Sequence, residues 1–219
     1  MFVAFDAMLN GDFHRVFEQR ADFPLKRADL VDWARRSADD LFCRFSERCG
    51  KRRWAEKTPA HVYHIRLINE VFPRAQFIHI LRNGYGVVRS LRSMSWAPRR
   101  KLRRIRWSAR TWTESVRAGQ AAGKELASDR YLELRYEALL SDTEPVLRGV
   151  CEFLREPFAP EMLQFHKPEN NTWHVCLKPL EREPAARHPE LDWVEAAVFN
   201  WMARPMMREL GYAAKRRVR

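Results

Sequence analysis

The chain has 219 residues, of which 46% are hydrophobic, and 40 lysines and arginines stand against 28 acids for a net charge of +12. That apolar fraction excludes wholesale disorder and is enough for one domain-sized core. No apolar run approaches the ~20 residues that a bilayer span needs. The charge favours an anionic partner, whether nucleic acid, a phosphorylated nucleotide, an acidic glycan or a membrane surface; a plain solvated basic face is the alternative. Met1–Asp6 shows no basic stretch leading into an apolar one, so no secretory signal is read and a cytoplasmic location is expected. Cys43, Cys49, Cys151 and Cys176 form no C-x-x-C pair, and reduced, mostly buried thiols are expected. Cys43, Cys49, His61 and His64 can be drawn as a zinc site, but the spacing fits no common ligand pattern, so no metal is expected.

In chain order, Leu30, Trp33, Leu41, Phe42 and Phe45 fall at helical spacing, and Gly50 marks a stop. Arg53–Glu56 reads as a short strand. Thr58-Pro59 then opens a helix in which Val62, Ile65, Ile68 and Val71 supply the buried face. Ala75–Leu81 is the clearest strand, so continuously apolar that burial on both sides is expected, as in parallel sheets. A turn at Arg82–Gly86 leads into a helix from Val87 to Met94, and a longer helix follows over about residues 105–127. Tyr131–Tyr136 is another strand and Glu144–Leu154 an amphipathic helix. Residues 157–189 hold six of the 12 prolines and read as irregular; a last helix over about 191–210 precedes a basic tail, Lys215–Arg219. Strands alternating with helices predict an α/β fold with a mainly parallel sheet.

The chemistry concentrates in Ile80–Leu91. An arginine, Arg82, leaves the C-terminal end of a buried strand; two glycines, Gly84 and Gly86, allow a tight turn; a helix begins, with Ser90 inside it. In open α/β sheets ligands collect beyond such strand ends, helix N-termini bind anions, and a guanidinium grips phosphate with two prongs. This is a phosphate-site pattern, although an ordinary strand-to-helix turn with a surface arginine would look the same.

Four segments in order carry a family resemblance: Trp54-Ala55-Glu56-Lys57-Thr58-Pro59; Phe72-Pro73-Arg74-Ala75-Gln76-Phe77-Ile78; Arg82-Asn83-Gly84 with Ser90; and Leu134-Arg135-Tyr136-Glu137-Ala138-Leu139, with Leu210-Gly211-Tyr212 closing the run. Together they resemble the sulfotransferases that use 3′-phosphoadenosine 5′-phosphosulfate (PAPS). The resemblance implies a three-layer, P-loop-like fold in a single domain over residues 1–219, with a helical lead-in at 1–50, a nucleotide-binding core at 51–156, and an irregular segment and C-terminal helix at 157–219. It implies sulfuryl transfer from PAPS to a hydroxyl or amine of unidentified nature, with PAPS or its product PAP as the bound nucleotide and neither nucleic acid nor a membrane span as partner. Oligomeric state is left open. Arg82 and Ser90 would hold the 3′-phosphate, Tyr136 would contact the adenosine part, and Lys57 would stabilise charge on the leaving oxygen, an electrostatic task that positioning serves well. Candidate general bases are His61 and Glu56, since a base must reach the acceptor hydroxyl. Simpler readings stand beside each: Lys57 paired with an acid such as Glu56, Tyr136 as a core strand residue, Ser90 bonded to its own backbone, His61 as an ordinary first-turn residue.

One piece of the family pattern is missing. No P-x-S-G-T-T loop occurs, and no Gly-Thr or Gly-Ser pair exists in the sequence. The expectation is an N-terminally truncated domain, whether a fragment, a domain completed by another chain, or an inactive basic remnant of the fold that holds a nucleotide or nucleic acid. Activity of this chain is therefore uncertain at this point. The basic run Arg99–Arg106 flanks the expected nucleotide site, where it would serve an anionic acceptor or simply face solvent.

Overall fold

The computed structural model describes residues 26–92, 94, 97–167 and 191–212. Helix α1 spans Arg27–Arg48. A 3-10 turn, Pro59–Tyr63, leads into α2, Ile65–Val71. Strand β1, Phe77–Leu81, is followed by α3, Gly84–Arg92, and α4, Lys101–Gly123. Strand β2, Tyr131–Arg135, runs directly into α5, Tyr136–Ser141, and then α6, Thr143–Leu154. A 3-10 turn at Pro160–Gln164 and α7, Trp193–Glu209, complete the order. The lead-in before residue 26, Cys176, most of the proline-rich segment and the basic tail lie outside the described residues.

The strands pair in parallel, with Ile78 opposite Leu132, Ile80 opposite Leu134 and Leu81 opposite Arg135. The helix-rich α/β fold with a parallel sheet is therefore present. The sheet face is asymmetric, and here the structure corrects the expectation of burial on both sides. Phe77 packs into one apolar cluster with Val31, Ala34, Leu67, Ile68 and Val71 of α1 and α2. Leu81 joins another with Tyr85, Ile105, Trp112, Phe199 and Met207 of α3, α4 and α7. The alternate residues Ile78 and Ile80 point the other way and remain 38% and 51% exposed. Period-2 alternation puts neighbours on opposite faces, so the two apolar clusters cover the Phe77–His79–Leu81 face, while the other face, where Leu132 and Leu134 are half-buried, is covered less.

Between Phe77 and Leu81 sits His79, whose Nδ1 is 2.7 Å from the Tyr131 hydroxyl and 3.5 Å from Glu133. Helix α4 crosses this polar trio at Gly119 and Gly123. A Cβ on Gly119 would stand 2.6 Å from His79 Nδ1, and one on Gly123 would stand 2.5 Å from Tyr131 Cζ. The two glycines, one helical turn apart, let the helix backbone ride against two ring side chains.

Other expectations shift in detail. The segment Arg53–Glu56 is extended but unpaired with any described strand. Arg53 anchors it, donating to Leu154 O at 2.8 Å and reaching Glu156 at 2.7 Å. The Thr58 hydroxyl caps nothing; it donates to Glu56 instead, at 2.6 Å. The helix expected from Thr58 breaks into a 3-10 turn and α2, with Val62 only partly buried. In α1 the small residues Val31, Ala34, Ala38 and Ser46 face inward, while Trp33, Leu41 and Phe45 are exposed. Gly50 does end that region in a left-handed conformation, φ 65°. Cys43 is exposed and Cys49 half-exposed, against the expectation of mostly buried thiols; Cys151 is buried.

Candidate functional site

The junction after β1 is a strand–turn–helix unit, but α3 starts three residues earlier than expected, at Gly84. The glycines serve close approach rather than a tight turn, since neither has positive φ. A Cβ on Gly84 would lie 2.8 Å from the Phe199 ring and 3.1 Å from Trp112; one on Gly86 would lie 2.8 Å from Arg82 Nε. Gly86 thus makes room for the Arg82 side chain to fold back along the first turn of α3.

Arg82 is held from several sides. Its guanidinium carbon lies 4.5 Å from the centroid of the Tyr136 ring, a cation–π contact. Its carbonyl accepts from Trp112 Nε1 at 3.0 Å. Tyr136 is the first residue of α5 rather than a core strand residue, so its ring stands at the mouth where both strands end. The sequence reading of helix N-terminal amides as an anion cradle needs correction. Asn83 Oδ1 accepts from Tyr85 N at 3.0 Å, and Glu137 Oε1 accepts from Asn83 N at 2.8 Å. Internal acceptors thus already occupy two amides at that end, those of Asn83 and Tyr85. Ser90 lies on the exposed side of α3, beside exposed Arg89.

Glu137 is the residue that sequence reasoning passed over. Its second oxygen accepts from the Tyr212 hydroxyl at 2.9 Å. Neighbouring Arg135 stacks over the Tyr212 ring at 5.0 Å and donates to Leu210 O at 2.5 Å. The Arg135–Glu137 junction therefore clamps the Leu210-Gly211-Tyr212 segment to the turn that bears Arg82. The signal was present in the co-occurrence of the two segments, but nothing local to either showed that they touch.

The second half of the site is the Trp54–His61 segment. Glu56 Oε2 lies 2.6 Å from His61 Nδ1, with side chains 25% and 18% exposed. Glu56 is therefore engaged by His61 and Thr58, and the alternative of a Glu56–Lys57 pair is not what the structure forms. Lys57 is exposed. Partial burial holds the His61 imidazole below the usual histidine range, helped by the nearby His64 and opposed by the Glu56 carboxylate. One ring nitrogen of His61 faces Glu56, and that contact orients the ring. The four residues drawn as a zinc site are not gathered, and among the described residues no group of three or more histidines, cysteines or acids is placed to hold a metal. Among the described residues no helix is long and apolar enough to cross a membrane.

The site's geometry is thus a half-buried arginine on an aromatic ring where two parallel strands end, and, on the Trp54–His61 segment, a histidine paired with a carboxylate. The Sulfotransferase family model matches residues 10–160, and the chain belongs to that family. Over 125 residues the chain is 30% identical to omega-hydroxy-beta-dihydromenaquinone-9 sulfotransferase Stf3 from Mycobacterium bovis and from Mycobacterium tuberculosis. That match takes in 50% of this chain and 31% of each relative, so the aligned region spans about a third of the relatives' length. Among solved structures, the sulfotransferase domain of the Synechococcus PCC 7002 olefin synthase superposes with a TM-score of 0.61 at 21% identity, covering 83% of this chain and 70% of that one. The sulfotransferase domain of the curacin biosynthetic pathway gives 0.56 at 15% identity, covering 97% and 78%. Both likenesses concern the fold.

Proposed function

We propose that this domain transfers a sulfuryl group from PAPS to the hydroxyl of an alcohol. The observation that carries the reading is Arg82: it emerges at the end of β1, is braced by Tyr136, and falls in the segment that resembles the family's 3′-phosphate motif. The guanidinium would pair with the 3′-phosphate, Ser90 would add a hydroxyl, and the Tyr136 ring would lie against the adenosine. The donor supplies an electrophilic sulfur whose bond to the 5′-phosphate oxygen breaks as the acceptor oxygen attacks. His61, oriented by Glu56, takes the acceptor's proton, and Lys57 meets the negative charge that gathers on the departing oxygen. A hydroxyl is favoured over an amine because the name of the relative Stf3 specifies an omega-hydroxy compound as its acceptor. The domain is read as a single unit acting in the cytoplasm.

The test is calorimetric titration of the chain with PAP, with 5′-AMP as control, at two salt concentrations. The reading expects PAP to bind at least roughly tenfold more tightly than 5′-AMP, the value of about one charge-assisted hydrogen bond. It also expects Arg82→Ala to erase that difference. Equal, weak, salt-sensitive binding of both nucleotides would refute it and leave a basic binding module.

A further inference from the structure

Helix α7 presents two faces of opposite character. Glu195, Phe199, Ala203 and Met206 are buried, with Phe199, Ala203 and Met206 in the cluster shared with α4. On the other side Trp193, Ala197, Trp201, Arg204 and Arg208 are all exposed. Steps of four, four, three and four residues place these five on one stripe of the helix. Trp193 is 70% exposed and Trp201 is 80% exposed. Two outward tryptophans on one stripe are not explained by the fold, which needs neither for its core.

The surroundings are basic. Lys101 Nζ reaches Asp192 Oδ2 at 2.5 Å, so the first turn of α4 stands beside the first turn of α7. There Arg99, Arg100 and Arg103 line an open groove of about 400 Å³ with Pro98 and Trp107. The stripe itself carries no acid. We propose that the outward face of α7 docks the protein on the surface of an anionic lipid bilayer. Tryptophan rings settle at the headgroup level, where an apolar body and a polar N–H are both satisfied, and arginines pair with lipid phosphates. Two rings about 12 Å apart along a rigid, outward-facing helix suit a broad flat surface. The docking is peripheral and needs no spanning helix. It does not depend on the nucleotide reading above, because neither tryptophan belongs to that site.

The experiment is co-sedimentation of the full chain with vesicles of phosphatidylcholine alone and of phosphatidylcholine mixed with phosphatidylglycerol. Binding is expected on the mixed vesicles only. Trp193→Ala/Trp201→Ala is expected to weaken it by more than about tenfold, and Arg204→Gln/Arg208→Gln by roughly thirtyfold at low salt, at about 1 kcal/mol per charge. Trp193→Phe/Trp201→Phe should retain most of it. All four positions are exposed, so thermal melts of the variants should stay close to the parent, and each comparison is read at matched folding. Equal binding to both vesicle types, or binding unaffected by the tryptophan pair, overturns the proposal. So does a tryptophan variant that turns a dimer into a monomer while vesicles never bind, which would assign the stripe to a second copy. Tryptophan-dependent binding to single-stranded oligonucleotides without vesicle binding overturns it as well.

Discussion

Substituting alanine for glycine usually helps a helix, and here two helical glycines should respond with opposite signs. Alanine in a helix interior gains about 0.5–1 kcal/mol over glycine. At Gly149 in α6 nothing lies within 4 Å of the added methyl, so Gly149→Ala should gain that amount. At Gly119 in α4 the methyl would fall 2.6 Å from His79 Nδ1 and 2.9 Å from Nε2. The imidazole cannot simply swing aside, because it is hydrogen-bonded to Tyr131 at 2.7 Å within the sheet–helix interface. Overpacking of this kind costs about 1–3 kcal/mol, and a displaced hydrogen bond adds about 1 kcal/mol. Set against the propensity gain, Gly119→Ala should lose about 1–3 kcal/mol. For a domain of this size that is a Tm lower by about 2–12 °C, against a Tm higher by about 1–4 °C for Gly149→Ala. Thermal melts followed by far-UV circular dichroism, with urea titration to check that the slope is unchanged, measure both. If Gly119→Ala melts at or above the parent temperature, α4 does not ride on His79 as described.

His79 is held below the usual histidine range, chiefly by burial and against the pull of Glu133, so the folded state binds this proton less readily than the unfolded chain. The resulting stability is fully present above pH 6.5 and falls as pH drops through the depressed folded value; His79→Gln should flatten that part of a stability–pH curve, and an unchanged slope would count against the assignment. His61 is depressed for the same reason, so the acid limb of kcat should lie below pH 6.5. Glu56→Gln removes the group that raises the His61 pKa and should move that limb further down, whereas His61→Gln should cut kcat by about 10²-fold or more and abolish the limb. A Glu56→Gln variant with no activity at any pH would make Glu56 the base instead. Arg82→Lys keeps the charge but loses the two-pronged geometry, and should weaken PAP binding by about tenfold or more in calorimetry while leaving 5′-AMP unaffected.

Much of the chain was legible from its residues. The run Phe77–Leu81 fixed β1, the spacing of Val146, Val150, Phe153 and Leu154 fixed α6, and the Arg82–Ser90 pattern marked the end of the sheet where a site would form. These signals are local, because hydrogen bonding and side-chain period act over a few residues. Helix ends were less legible. Thr58-Pro59 has the composition of a helix start, yet Thr58 spends its hydroxyl on Glu56, a side-chain contact that propensity does not register.

Faces and partners were decided only in three dimensions. In α1 the large apolar residues looked like the core face, but α2 offers a shallow seat that admits Val31 and Ala34 and leaves Trp33 and Phe45 outside. Ile78 and Ile80 read as buried, yet the two apolar clusters pack on the His79 face. Glu137 appeared only as part of a family segment, and the fold makes it the link between Asn83 and Tyr212, residues 54 and 75 positions away. Residue types and periods determined which elements form and where Arg82 lies. Which side of each element meets which neighbour, and so which carboxylate orients His61 and which ring braces Arg82, was left to packing among distant segments, since burial and pairing energies depend on the partner surface as much as on the residue that offers itself.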